Sequence, residues 1–288
     1  MLSIVIVNWN TKDLLRACLH SLTLFPASQP SEVIVVDNFS TDGSAEMVAN
    51  EFPFAKLVAS KVNTGYAKGN NLGIAQAVGD WILTLNPDTE LVDNSLDIAI
   101  DRLSQNPKAG CLGIKQVGID GVTQQSVRGF PTVLGIFGDI SGLGRYVGGV
   151  FDSYRRARFD YHQEQLAPQP MGTFLLFRRA ALEAIGSTTA PFDEKFPIFF
   201  NEVDLLYRLK KAGWYCLYTP MAQIRHHGGE STKQVRKNMI WESHRSLVRY
   251  LWKHSGTGLG VVGLPFVSVL ILAAAFVRAK GYHAGFRA

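Results

Sequence analysis

From Leu2 to Val117 short apolar runs alternate with segments of helical period. Leu2 to Val7 is largely apolar and β-branched, the pattern of a parallel strand covered on both faces. It ends at Asn8-Trp9-Asn10-Thr11, where Asn10 or Thr11 can cap a helix whose apolar positions Leu14, Leu15, Cys18, Leu19 and Leu22 recur at helical spacing. Pro26 and Pro30 separate that helix from a second strand, Glu32 to Val36, which closes on Asp37-Asn38-Phe39-Ser40-Thr41-Asp42-Gly43-Ser44 ahead of a helix to Asn50. Strand, helix and strand in this order predict a parallel sheet with right-handed crossovers.

A short strand from Lys56 to Ala59 leads into a loop of small and amide residues, 63–73, and a helix to about Val78. Trp81 to Leu85 has the length of a buried strand and stops at Asn86-Pro87, where proline cannot continue a ladder. A helix from Asp93 to Gln105 and a strand from Gly110 to Val117 follow, then a hairpin turn, Gly118 to Thr123, with Asp120-Gly121 at its tip. Residues 126–170 are glycine-dotted and read as an excursion; Arg155, Arg156 and Arg158 there either meet an anionic group of the acceptor or form a solvated face. A strand entered through Gly172 runs to Arg179, with a helix from Ala180, and two strands, Tyr215 to Tyr218 and Ala222 to Arg225, flank Pro220.

At the carboxyl side the pattern changes. Thr232 to His254 interleaves Lys233, Arg236, Lys237, Arg245, Arg249 and Lys253 with apolar residues and tryptophan, as an interfacial helix would. Leu259 to Val277 carries no charge and is long enough to span a hydrocarbon core, to re-enter at Pro265, or to lie in the interface. Residues 1–207 hold 16 Lys and Arg against 22 Asp and Glu, a balance of −6, whereas residues 208–288 hold 13 against 2, a balance of +11. So basic an end calls for an anionic partner, and the apolar run beside it favours a membrane surface over nucleic acid. Hydrophobic content of 47% and charged content of 18% exclude a disordered chain. Cys18, Cys111 and Cys216 have no C-x-x-C spacing, which suits a reducing compartment, and no basic region of a signal peptide precedes Leu2.

Two acids stand just past strand ends, where open α/β sheets bind ligands. Asp88 is placed to hold a divalent cation against a phosphate, or else to stabilise its own turn; Asp37 is placed to hold ribose hydroxyls or a base edge, or else to cap a helix. The 63–73 loop can approach a diphosphate closely but is neither G-x-x-x-x-G-K-[ST] nor G-x-G-x-x-G.

Ile-Val-Asn-Trp-Asn at 6–10, Val-Val-Asp-Asn-Phe-Ser-Thr-Asp-Gly-Ser at 35–44, Asn-Thr-Gly-Tyr-Ala-Lys-Gly-Asn-Asn-Leu-Gly at 63–73 and Leu-Asn-Pro-Asp at 85–88 resemble, in order and spacing, the family 2 inverting glycosyltransferases, above all their bacterial rhamnosyltransferase-like branch. The resemblance implies a GT-A fold, α/β with a Rossmann-like nucleotide-binding half and a mixed central sheet, over 1–230; the charge and apolar pattern adds C-terminal helices associating with the membrane over 231–288. The resemblance also implies that Asp37 binds the nucleotide and that Asp88 matches the last position of a metal-holding Asp-x-Asp motif, with Asn86 departing from it at the first. Asn8, Asn63, Gly65, Asn70, Asn71, Asn86 and Gly172 complete the expected donor-binding set. Asn201-Glu202-Val203-Asp204-Leu205, with Arg208 after it, is similar to the family's acceptor-side Glu-Asp-x-Asp-Leu, so Glu202 takes the place of the catalytic base and Asp204 that of the final Asp, there to cap the helix, orient neighbours or touch the acceptor. His226, preferred to His227, matches a histidine beside the metal. The expected cofactor is Mg2+ or Mn2+, the donor a nucleoside diphosphate sugar such as dTDP-rhamnose, and the acceptor a lipid-linked or polysaccharide glycan at the cytoplasmic face of the inner membrane. A sugar-1-phosphate nucleotidyltransferase and a catalytically silent, membrane-tethered binder stand as alternatives.

Overall fold

The computed structural model describes residues 1–142, 159–228, 236–255 and 259–280; Arg155, Arg156, Arg158 and Lys233 lie outside these. The chain divides into two compact units. The first comprises Met1–Arg128, Phe159–Pro197 and Asn201–Ser231, the second Gly129–Arg158, Ile198–Phe200 and Thr232–Ala288.

In the first unit four parallel strands, β1 (Leu2–Asn8), β2 (Ser31–Asp37), β3 (Ala55–Ala59) and β4 (Trp81–Leu85), lie in the order β3-β2-β1-β4. The predicted bounds of β4 coincide with those observed. Beyond β4 the sheet turns mixed: β10 (Phe174–Arg178) is antiparallel to both β4 and β6 (Ala109–Val117), β11 (Tyr215–His226) is parallel to β6, and β5 (Thr89–Leu91) is antiparallel to β11. β8 (Gln165–Leu166) pairs with β11, while β7 (Val127–Arg128) and β9 (Gln169–Pro170) make a separate two-stranded ribbon. The helices α1 (Lys12–Leu24), α2 (Ser44–Glu51), α3 (Tyr66–Ile74), α4 (Ser95–Gln105), α6 (Arg179–Ala184) and α7 (Asn201–Lys211) belong to this unit; α5 (Val133–Ser141), α8 (Arg236–His254) and α9 (Leu259–Lys280) belong to the second.

One face of the sheet is sealed by α1, whose Leu15, Cys18, Leu19 and Leu22 are buried as their spacing predicts. On the other face α3 lies close against β1. A Cβ at Gly69 would stand 2.7 Å from a Val7 methyl, and one at Gly73 2.4 Å from a Val5 methyl, so this i, i+4 pair of glycines sets the helix-to-sheet distance.

Three local expectations are corrected. Helix α3 ends at Ile74, short of Val78. Asn10 and Thr11 do not cap α1: the Thr11 hydroxyl donates to Asn8 Oδ1 and Asn10 Oδ1 accepts from the Thr41 amide, while Asp42 takes the Lys12 N–H at 2.8 Å. With β1 and β2 ending side by side, polar bonds between the two following loops displace the local cap. The two strands expected around Pro220 are one, β11, whose pairing with β6 shifts register between Thr219 and Gln223. Proline, lacking an N–H, sits where the ladder is interrupted.

Candidate active site

Asn8 and Asp37 face each other across the register of β1 and β2, both buried. Asn8 Nδ2 donates to Asp37 Oδ1 at 3.3 Å and to Ser40 Oγ at 3.2 Å, and the Ser40 amide donates to Asp37 Oδ2 at 3.0 Å. The carboxylate is thus oriented by two bonds, with Asn8 and Ser40 also bonded to each other, at the carboxyl end of a parallel strand. Beside it Asn38 Nδ2 donates to Asn63 Oδ1 at 3.0 Å and Gly65 O at 3.2 Å, and its Oδ1 accepts from the amide and hydroxyl of Thr64. One buried amide therefore pins the 63–65 loop. Gly65, with φ of 83°, lies where a Cβ would meet the Pro197 carbonyl oxygen at 2.8 Å, so only glycine fits.

A second group of residues gathers past β4. The Tyr66 hydroxyl lies 2.9 Å from Asn86 Oδ1 and 3.2 Å from the Gly172 carbonyl oxygen. Gly172 lies under Glu202, whose Cγ would be 3.5 Å from a Cβ at position 172. Tyr66 thereby joins the Asn86-Pro87-Asp88 turn to the start of α7, and the carboxylates of Asp88 and Glu202 both act on its phenol. Burial first, and then the nearby carboxylates of Glu202 and Asp88, push the Tyr66 phenol well above its ordinary pKa, with a hydrogen bond from Asn70 opposing them.

Glu202 lies in the first turn of α7. Part of its surface is open, yet the protein packed round the carboxylate desolvates it and pushes its pKa up to about 7, against the backbone N–H groups of Glu202 and Val203 and the charge of Arg128. A carboxyl poised there works as a proton acceptor near neutrality. Just ahead of α7, Phe200 holds φ of 66°, a left-handed conformation that is strained for a residue with a Cβ. Asp204 does something else. It is fully buried and bonds Arg208 Nε at 2.8 Å, while Arg208 Nη2 donates to the Pro191 carbonyl, so this acid positions the helix and the segment before it. Asn71 is likewise turned to a structural task, exchanging both amide hydrogen bonds with the Phe192 backbone, and Asn70 Nδ2 donates to the Tyr66 carbonyl.

Asp88 is 6% exposed, and its Oδ2 faces His226 Nε2 at 3.5 Å. Gln124 defines which nitrogen of that ring holds the proton. Its Nε2 donates to the His226 carbonyl at 3.1 Å, which leaves Oε1 to accept from His226 Nδ1 at 2.8 Å. In its neutral form the ring so held turns a lone pair on Nε2 toward the carboxylate, an arrangement of two electron-pair donors that fits a divalent cation. His227 is engaged elsewhere, with Glu90. No three His, Cys, Asp or Glu side chains gather as a cage among the described residues. Asp88 and His226 thus suit a cation shared with phosphate oxygens rather than one enclosed by protein alone. An open depression lined by Asp80, Trp81, Arg178, Arg179, Ala180 and Glu183 lies at the opposite end of β4, away from this cleft.

Residues 3–186 match the family described as Glycosyl transferase family 2. Over 274 residues the chain is 32% identical to N-acetylglucosaminyl-diphospho-decaprenol L-rhamnosyltransferase of Mycobacterium tuberculosis, an alignment covering 89% of this chain and 86% of that protein. The chain belongs to glycosyl transferase family 2. This family 2 enzyme is also 26% identical over 241 residues to the O-antigen biosynthesis protein RfbC of Myxococcus xanthus, covering 80% of this chain and 18% of that one. Its fold is GT-A. The mannosyltransferase PcManGT from Pyrobaculum calidifontis, solved with GDP-Man and Mn2+, superposes with a TM-score of 0.60 at 17% identity over 99% of this chain and 76% of that one. S. aureus TarS 1-349 superposes with a TM-score of 0.55 at 16% identity, over 99% and 75%.

Sequence reasoning did not single out four residues of the glycosyltransferase's cleft: Tyr66, Asn38, Gln124 and Arg128. Tyr66 and Asn38 lie inside the quoted motifs, where a hydroxyl and an amide among small residues were the available signal. Gln124 had only its place on the returning arm of the predicted hairpin, and Arg128 had none.

Proposed function

We propose that this glycosyltransferase moves a sugar, with inversion, from a nucleoside diphosphate to a hydroxyl of a lipid-linked or cell-surface glycan. The observation that supports this most is the chain of contacts from Glu202 through Gly172 and Tyr66 to the turn bearing Asp88. Asp37, oriented by Asn8, would hold the nucleoside, and the loop Asn63–Gly65 with Asn70 would meet the diphosphate. Glu202 accepts the acceptor hydroxyl's proton as that oxygen bonds to the anomeric carbon. The bond from that carbon to the diphosphate oxygen breaks, its electron pair leaving with the diphosphate, and attack from the opposite side inverts the centre. Asp88 and His226 would hold Mg2+ or Mn2+, which when bound supplies Lewis acidity to the leaving diphosphate. Asn86, bonded to Tyr66, orients the turn without adding a charge to it.

For the donor we favour dTDP-rhamnose and for the acceptor a polyprenyl-diphosphate-linked saccharide; the relative that matches most of this chain is named for an L-rhamnosyl transfer to a decaprenol-linked acceptor. The reaction would run at the cytoplasmic face of the inner membrane, with the basic, apolar C-terminal region against anionic lipid. Release of dTDP from dTDP-rhamnose, measured with and without a polyprenyl-diphosphate-linked N-acetylglucosamine, tests the reading. Acceptor-dependent release, lost in Glu202→Gln with donor binding kept, is the expected result; full release in that variant would take Glu202 out of the mechanism, and release from GDP- or UDP-sugars alone would refute the donor.

A further inference from the structure

In the second unit α8 and α9 run antiparallel. Trp252 Nε1 donates to Ser268 Oγ at 3.1 Å, and nearer the far ends of the pair burial and then the charge of Arg278 lower the pKa of His244. Along α9, Leu264, Val267, Ile271, Ala275 and Ala279 are buried, a stripe that follows one face from the first turns to the last. The opposite face is just as apolar and is open: Val262 is 78% exposed, Phe266 61%, Val269 66%, Phe276 49% and Val277 66%. One side of the helix is used inside the unit, and the other has the size and continuity of an interaction surface.

By length and composition Val261–Lys280 is able to cross a membrane, since 20 residues of helix reach about 30 Å. The partner helix argues against it. α8 carries Arg245, Arg249 and Lys253 at i, i+4 and i+8, Arg249 paired with Glu242 at 3.6 Å, and taking the pair of helices through a bilayer would cost roughly 3 kcal/mol for each charge at mid-depth. Lying flat buries the open stripe without that cost. The basic row then meets headgroups, and Trp252, 52% exposed at the seam between the helices, takes the depth that suits tryptophan.

We infer that the second unit seats on a single leaflet of an anionic membrane, with α9 lying in the plane, the face Val262, Phe266, Val269, Phe276 and Val277 in the acyl boundary and the Arg245, Arg249, Lys253 row at the phosphates. This rests on the membrane reading proposed above and adds how the chain is held there. Flotation of the full chain with phosphatidylcholine vesicles, with and without phosphatidylglycerol, tests it, using V262S/F266S/V269S and R245Q/R249Q/K253Q. Binding to anionic vesicles, release by alkaline carbonate, an at least tenfold loss in the serine variant and a lost preference for phosphatidylglycerol in the glutamine variant are expected, with melting temperature unchanged. Carbonate-resistant insertion means a spanning helix and overturns the inference while sparing the membrane reading. Undiminished binding of the serine variant does the same by removing α9 from the contact. No binding to either vesicle, with the serine variant turning a dimer into a monomer in sedimentation, assigns the face to a second copy and removes both readings.

Discussion

Around Asp37, Asn8, Ser40 and Asn38 are held by one another and by the Asn63–Gly65 loop, whereas around Asp88 and Glu202 the Glu202 carboxyl is desolvated and His226 Nε2 stands 3.5 Å from Asp88 Oδ2, beyond good hydrogen-bond distance. The two ends have different work. A nucleoside presents the same hydroxyls and base before and after transfer, so a rigid polar frame can be complementary to it from the start. In the proposed reaction the groups that would meet the leaving diphosphate and the incoming hydroxyl serve charges that develop only during transfer.

That contrast can be broken at either end. The largest effect is expected from Glu202→Gln, which should lower transfer by about 10³-fold while leaving donor affinity unchanged, measured by turnover and by calorimetric titration with the donor. In the unmutated enzyme the rate should rise with pH and level off above about 7, as the base loses its proton. The same group predicts a stability signature. Its pKa in the folded chain lies above the unfolded value, so its contribution is full below about 4.5 and is lost as pH rises through about 7. Glu202→Gln should therefore melt higher than the parent at pH 8 and the same near pH 4; equal melting at both would contradict the desolvated carboxylate.

Asn38→Ala should cost about 2–3 kcal/mol in denaturant titration, because four hydrogen bonds pin the 63–65 loop through that side chain. Its donor KM should rise while kcat holds, and a fall confined to kcat would erase the distinction between the two ends. Gln124→Leu should weaken Mn2+ binding about 10–100-fold, read by paramagnetic resonance in the presence of a nucleoside diphosphate, with Gln124→Glu restoring most of it. Unaltered Mn2+ affinity would leave His226 without a metal role. The smallest effect is expected from Tyr66→Phe, about 1 kcal/mol in stability and a few-fold in rate, since the hydroxyl bonds Asn86 and the Gly172 carbonyl and so orients the turn.

The parallel half of the sheet was legible because strands buried on both faces are written as contiguous apolar runs, as Trp81 to Leu85 shows. Pro220 misled because a proline can break a strand or sit at a register shift within one, and residue identity is the same in both cases. The acids Asp37, Asp88 and Glu202 were legible because each stands at a strand or helix end inside a recognisable run. Gln124 was not, since its meaning comes from His226, 102 residues further on. Asp204 was read alongside Glu202 from the motif, and only packing revealed that it is spent on Arg208.

By itself the sequence determined the family, the parallel half of the sheet, the positions of the acids along the chain and the apolar, basic character of the C-terminal region, because these are properties of local pattern. Tertiary structure decided which acids lie near Tyr66, which nitrogen of His226 faces Asp88, and which side of α9 is left open. Those depend on distances between residues far apart in the chain, and such distances follow from strand order, register and helix packing, which no local run of residues encodes.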